Sequence, residues 1–395
     1  MNMCPIAEMP LVDLGELVDI VSGFAFKSAK FNDSGEGLPL VRIRDVVRGY
    51  SDTFYSGEFD DKYIVADGDY LIGMDGEFNL AKWNGGKALL NQRVCKIGAV
   101  DQKLDRHYLS RFLPKALKDI EDTTPFVTVK HLSVKKIREI PIPLPPLAEQ
   151  KRIAGILDAA DALRAKRRES LAQLDTLLLS TFLDTFGDPV TNPMEFPVRT
   201  LSEFYINKRD GTKCGPFGSA LKKSELVDSG VPVWNMDNIT PSGRMALPFR
   251  MWITEAKYRQ LEAYSVIDGD VIISRAGTVG KMCVADSGCK SSIISTNLIR
   301  VRFGPDLLPI YFVSLMNYCK GRVGRLKTGP DGAFTHMSTG VLDKLNFPYP
   351  PLDLQHGFAA FVESAEQQKA RLRAHLIELD TLFASLQSRA FRGEL

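Results

Sequence analysis

Apolar residues return at heptad spacing in two long stretches, and these are the clearest elements of the chain. In the first, Ile153, Ala160 and Leu174 form one series and Leu157, Leu171 and Leu178 the other. In the second, Phe358, Ala365, Leu372, Leu379 and Leu386 alternate with Val362, Leu376, Phe383 and Ala390. A seam sustained this long predicts a coiled coil, with helices of about 38 residues and about 57 Å. Pro145-Pro146 and Pro350-Pro351 mark the starts, since proline cannot continue a preceding element yet suits a first helical turn. Gly187-Asp188-Pro189 stops the first helix, and Gly393 lies just past the second. Arg164, Arg167 and Lys369 interrupt the apolar series. Either they snorkel at a loosened section, or another subunit or the partner helix supplies acidic groups.

The regions before the helices read as mixed α/β. Short β-branched runs such as Tyr63-Ile64-Val65 and Val271-Ile272-Ile273-Ser274 flank Asp-Gly turns. Asp105 to Lys118 and Pro309 to Lys320 carry apolar residues at helical spacing. The chain also repeats itself. His131-Leu132-Ser133 returns as His336-Met337-Ser338, and Pro143-Leu144-Pro145-Pro146-Leu147 returns as Pro348-Tyr349-Pro350-Pro351-Leu352. Leu174-Asp175-Thr176-Leu177 returns as Leu379-Asp380-Thr381-Leu382. A unit this long is a duplicated domain with a trailing helix, not a solenoid repeat. The offset grows from 187 at Pro10/Pro197 to 205 at His131/His336, so the second copy carries more residues in its loops. The expected organisation is a globular domain over 1–146, a helix over 147–186, a linker over 187–196, a second domain over 197–351 and a helix over 352–395.

Composition adds little. The 395 residues are 44% hydrophobic and 25% charged with net charge +2, which excludes a histone-like protein but not a local basic face. No apolar run is long enough to span a bilayer, and the N-terminal residues do not read as a signal peptide. Six scattered cysteines without a Cys-x-x-Cys pair suit buried thiols in a reducing cytosol, and Cys283 and Cys289 lack a second ligand pair for a metal.

The chemistry-bearing motifs are mostly missing. Gly277-Thr278-Val279-Gly280-Lys281 has the wrong spacing for a phosphate-cradling loop. No Asn/Asp-Pro-Pro-aromatic motif of an amino-methyltransferase occurs; Thr191-Asn192-Pro193-Met194 reads as a linker turn. Glu255-Ala256-Lys257 has nuclease-like spacing but reads as a helix start without an aspartate partner. The five histidines lack ligand spacing, and the plainer reading of His131 and His336 is capping or packing. Binding residues remain. In the first copy the candidates are Lys27, Ser28, Arg42, Arg44, Asn91, Arg93, Lys130 and His131. In the second they are Lys222, Lys223, Asn235, Arg275, Asn297, Lys327 and His336. Lysine and arginine neutralise phosphates, while Arg, Asn and Gln suit guanine and adenine edges.

These features carry a resemblance. The loop Ser22-Gly23-Phe24-Ala25-Phe26-Lys27-Ser28, the helix entry from Ile140 through Pro145-Pro146-Leu147-Ala148-Glu149-Gln150 to Ile153, the duplication, and the stretch Ala390-Phe391-Arg392-Gly393-Glu394-Leu395 together resemble the DNA-specificity subunit of type I restriction–modification enzymes. The second copy departs at Leu354-Gln355-His356-Gly357-Phe358, so contacts of the two helix entries need not be equivalent. The resemblance implies an α+β fold with two target recognition domains, each reading half of a bipartite double-stranded DNA site. It implies two long helices pairing antiparallel as a spacer. Two modification subunits and two restriction subunits would dock on it, bringing S-adenosylmethionine, ATP and Mg2+, while this chain holds no cofactor or catalytic residue. A bacterial or archaeal cytoplasm would be its place. The alternatives are a specificity subunit of a related methyltransferase–nuclease system and a protein-only coiled-coil scaffold.

Overall fold

Strand-forming runs and turns organise each globular region around a four-stranded antiparallel sheet. The structure, a computed structural model, describes residues 9–124, 130–240, 242–275, 279–288, 290–319 and 337–395. It divides into two units, Met1–Glu169 with Ala374–Leu395, and Ser170–Arg373. The dividing lines fall within the long helices, so each helix gives one part to each unit.

In unit 1 the sheet order is Val18–Ser22, Val94–Val100, Tyr70–Gly73, Leu80–Lys82. In unit 2 it is Thr212–Cys214, Leu298–Val301, Val271–Ser274, Met282–Val284. The duplication read from the sequence is therefore repeated strand for strand. A second sheet contains a parallel pair in each unit, Leu38–Val41 beside Ala88–Leu90 and Val231–Trp234 beside Ser292–Ile294. A two-stranded ribbon leads to each helix: Leu11–Asp13 pairs with Pro141–Pro143, and Val198–Thr200 with Asn346–Pro348. Unit 1 has an additional edge strand, Phe31–Asn32, without a counterpart in the described sheets of unit 2.

The apolar faces of these elements close one main core per unit. The helix Arg106–Thr123 starts where Asp105 accepts the Tyr108 amide, and it buries Tyr108, Leu109, Leu113 and Leu117. Pro309–Cys319 does the same in unit 2 through Tyr311, Phe312, Leu315 and Met316. The Tyr108 hydroxyl donates to the Pro143 carbonyl, and the Tyr311 hydroxyl to Pro348. Both tyrosines thereby tie the core to the helix entry.

The long helices span Leu147–Phe186 and Leu352–Ala390. Burial follows the predicted heptads: Ile153, Leu157 and Ala160 are buried in the first, as are Phe358, Val362, Ala365, Leu372 and Ala390 in the second. Leu171, Leu174, Leu178, Leu376, Leu379 and Phe383 are half-buried along the same seam. Within unit 1, Arg164 Nε donates to Asp380 Oδ1 at 2.6 Å and Arg167 Nη2 meets His375 Nδ1 at 2.8 Å. Within unit 2, Lys369 Nζ pairs with Asp175, and the Phe182 and Phe186 rings lie 5.6 and 5.3 Å from Phe358. Numbers rise on one helix as they fall on the other in both units, so the pairing is antiparallel. For Lys369 the opposing helix supplies the acidic group: the lysine is 1% exposed and held by Asp175 across the seam and by Glu366 of its own helix.

One buried glutamine at each helix entry joins helix to domain. Gln150 accepts the Asp105 amide and donates to the carbonyls of Lys103 and Pro145. Gln355, also fully buried, accepts the Leu308 amide and donates to Pro350. A buried amide is stable only when its polar atoms are paired. The repeated Pro-Pro-Leu-x-x-Gln is thus a clamp as well as a helix start.

Candidate nucleic-acid interface

In unit 1 the chain brings most of the candidate residues to one place, where Leu38–Val41 and Ala88–Leu90 end and the turn into Val94–Val100 begins. The Asn91 amide donates to the Val41 carbonyl, which sets Arg42 beside this turn. The Gly23–Lys27 loop lies against it too: the Phe24 amide donates to Leu90, and the Gln92 amide to Phe24. Gly23 is required here, because a Cβ on it would sit 1.9 Å from the Asn91 carbonyl oxygen. Gly215 stands in the same relation to Ser295 in unit 2. The repeated glycine lets the loop press against the turn in both copies.

On this turn Arg93 takes φ +71°, a conformation that residues other than glycine, asparagine and aspartate seldom adopt. Its Nη1 lies 3.1 Å from His131 Nε2, and its Nε lies 3.4 Å from Asp75 Oδ2. His131 Nδ1 also pairs with Asp75. Backbone pairing fixes this group: Asp75 and His131 form an antiparallel bridge, and the Leu132 amide donates to Met74. Leu132 is fully buried and Ser133 caps the next short helix, so His131-Leu132-Ser133 divides into an outward ring, an anchor and a cap.

The other candidates have distinct surroundings. Lys27 and Ser28 are exposed. Arg42 is exposed as well, while its amide donates to Asp45, a buried carboxylate. Arg44 spends its guanidinium on Asp52 and Asp45. Beside it, Arg48 is raised above its usual range first by the Tyr50 hydroxyl and then by Asp52, and its guanidinium lies 4.3 Å from the Tyr50 ring centre. Asn91 is buried, its side-chain oxygen accepting the Gln92 amide. Lys130 donates to the Glu121 carbonyl near the end of its helix.

Unit 2 furnishes the same position differently. The Gly215 amide donates to Leu298, the Ser295 amide to Trp234 and the Arg275 amide to Asn297, which gathers Asn235, Arg275 and Asn297. Arg275 lies over the exposed Phe217 ring at 4.8 Å, and its Nη1 is buried with no hydrogen-bond partner among the described residues. Asn297 is exposed, whereas the Asn235 amide is capped by Asn238. Lys222 and Lys223 stand exposed on a following turn. Lys327 and His336 lie outside the described residues, as do Cys289, Gly277, Thr278, Thr128 and Lys320.

Asp75, Phe24 and Phe217 escaped the sequence reading. An acidic side chain is an unlikely choice where phosphates are expected, and only the fold shows that Asp75 serves Arg93. Lone phenylalanines in Gly-rich loops carry no signal until their exposure, 48% and 55%, is visible. The Glu255–Gln260 stretch is a helix whose Lys257 pairs with Glu225. Among the described residues no cluster of His, Cys, Asp and Glu is placed to hold a metal ion, and no helix is long and apolar enough to cross a membrane.

Residues 7–174 match the family model of the type I restriction modification DNA specificity domain. The chain is 28% identical to the type I restriction enzyme EcoBI specificity subunit of Escherichia coli, over 97% of this chain and 85% of that one. It is 24% identical to the MjaVIII specificity subunit of Methanocaldococcus jannaschii, over 77% and 73%. Among solved structures, the type I restriction–modification S subunit from M. genitalium aligns over 99% of this chain and 98% of its own, with TM-score 0.56 and 15% identity. A chain from a structural study of complex assembly and conformational transition of the type I R-M system aligns over the full length of both, with TM-score 0.58 and 17% identity.

Proposed function

We propose, for a chain that belongs to the family of type I restriction–modification specificity subunits, that each unit reads one half of a bipartite DNA target and the paired helices set the distance between halves. The chain is the DNA-recognising, non-catalytic member of its complex. Two modification subunits and two restriction subunits complete that complex, in a bacterial or archaeal cytoplasm. S-adenosylmethionine, ATP and Mg2+ belong on those partners, whose chemistry requires a methyl donor, a fuel and a metal.

One observation carries the reading. The same strand-end turns recur in both units but present Arg93, His131 and Asp75 in the first, and Arg275, Asn297 and Phe217 in the second. A repeated framework with unlike polar tips is what two unlike half-sites require, because base edges are told apart by donor and acceptor pattern. The modest net charge fits a complex in which partners also hold the DNA backbone.

The test exchanges residues 20–130 for the corresponding residues of another family member, in the full complex, and reads the methylated sites across a host genome. One half-site should change while the other half-site and the spacing stay as they were. A change in both halves, or in neither, would overturn the assignment.

A further inference from the structure

Arg93 combines features that a solvated surface arginine lacks. Its side chain is 53% exposed, yet two neighbours on paired backbone hold it, Asp75 at Nε and His131 at Nη1. Its Nη2 has no hydrogen-bond partner among the described residues and, with the second hydrogen of Nη1, completes an edge able to make two parallel hydrogen bonds. Its backbone sits at φ +71°, and such strain persists only where the surroundings enforce it. Asp75, at 28% exposure, places negative charge directly beside the guanidinium. That charge would repel phosphates unless it serves to aim the guanidinium. Two neighbouring cations are tied down, Lys130 by a helix carbonyl and Arg44 by Asp52, while Arg42 is exposed.

A fixed, planar, two-donor edge matches the O6 and N7 acceptors of guanine, whereas a phosphate contact needs only a mobile point charge. We propose that Arg93 reads a guanine in the half-site recognised by unit 1, with Asp75 and His131 as its positioning residues. The inference rests on the DNA-reading role proposed above.

The experiment uses the full chain in complex with its modification subunits. Its target is first mapped by methylome sequencing, then duplexes carrying single-base changes compete for binding. Arg93→Lys keeps the charge but loses the fork. It should lower discrimination at one guanine by about ten- to a hundredfold, with the second half-site unaffected. Arg93→Asn, which tolerates the left-handed backbone, should lose the same preference. Asp75→Asn should lose it in part. The unchanged second half-site reports that each variant is folded.

Several results would overturn the inference: a first half-site without guanine on either strand, discrimination kept in Arg93→Lys, or uniform weakening of all duplexes by Arg93→Asn with a shallower salt dependence, the mark of a phosphate contact. These are distinct from failure of the parent reading. That failure would show as a wild-type complex with no sequence preference at all.

Discussion

The two units share a framework down to single hydrogen bonds, yet their polar tips are built on different principles. Gly23 and Gly215, Gln150 and Gln355, and Tyr108 and Tyr311 occupy matching places with matching partners. At the strand-end turns the match ends. Unit 1 steers its arginine with a carboxylate and an imidazole, while unit 2 rests its arginine on an aromatic ring. The shared atoms are buried and paired, so a change there costs stability. The differing atoms are exposed or half-buried, so a change there alters chiefly what can be bound.

The comparison can be broken at the clamps first. Gln150→Ala leaves one amide and two carbonyls without their partner, and Gln355→Ala leaves one of each. Buried unpaired groups cost about 1–3 kcal/mol each. Urea unfolding should therefore show both variants destabilised by about 3 kcal/mol or more, with Gln150→Ala the more severe. Equal and negligible effects would mean that water replaces the amides and that the clamps are not structural.

A smaller effect distinguishes the charged positions of the seam. Asp175→Ala strands a buried lysine with Glu366 as its remaining partner on the helices, and should cost about 2 kcal/mol. Asp380→Ala leaves Arg164 with Asp161 and partial access to solvent, so the loss should stay below about 1 kcal/mol. Lys369→Met should be close to neutral, because an apolar residue of similar volume suits the seam. Thermal melts of the three variants give the order directly.

The smallest effect appears in acid. Glu121 is held below the usual carboxylate range, first by Lys118 and then by the Phe78 amide. Glu225 is held low by the Lys222 amide and then by Lys257. A carboxylate with a depressed folded pKa stabilises above its unfolded value, about 4.3, and that contribution fades as pH falls through the folded value. Hydrogen exchange should show the Phe78 and Lys222 amides losing protection below about pH 4. Glu121→Gln should abolish the pH dependence at Phe78 and leave that at Lys222 intact.

The helices were legible from sequence because a heptad signal is local and accumulates over many turns. Even the charged interruptions marked true seam positions, and the structure decided between the two readings of Lys369 by supplying Asp175. The strands at Ile64–Val65 and Val271–Ser274 were legible from β-branched runs and turns. Their order was not, since the parallel pairing of Leu38–Val41 with Ala88–Leu90 joins residues about fifty positions apart. For the site, residue type identified Arg93 and His131, but Asp75 is visible only through its contacts. Asn91 and Lys130 have the right chemistry for recognition, yet the Asn91 side-chain oxygen and the Lys130 ammonium are engaged with backbone.

The division of the helices between units has a consequence for how the protein is made. Unit 2 is one continuous stretch of chain, but unit 1 includes residues 374–395. Ala390 is fully buried in the unit 1 core, and Phe391 packs on Tyr108 and Phe112 with ring centres 5.4 and 5.0 Å away. A ribosome completes every residue of unit 2 before it delivers this piece. The half synthesised first is therefore the half whose core closes last, with the apolar surface around Tyr108 and Phe112 uncovered until residues 374–395 arrive.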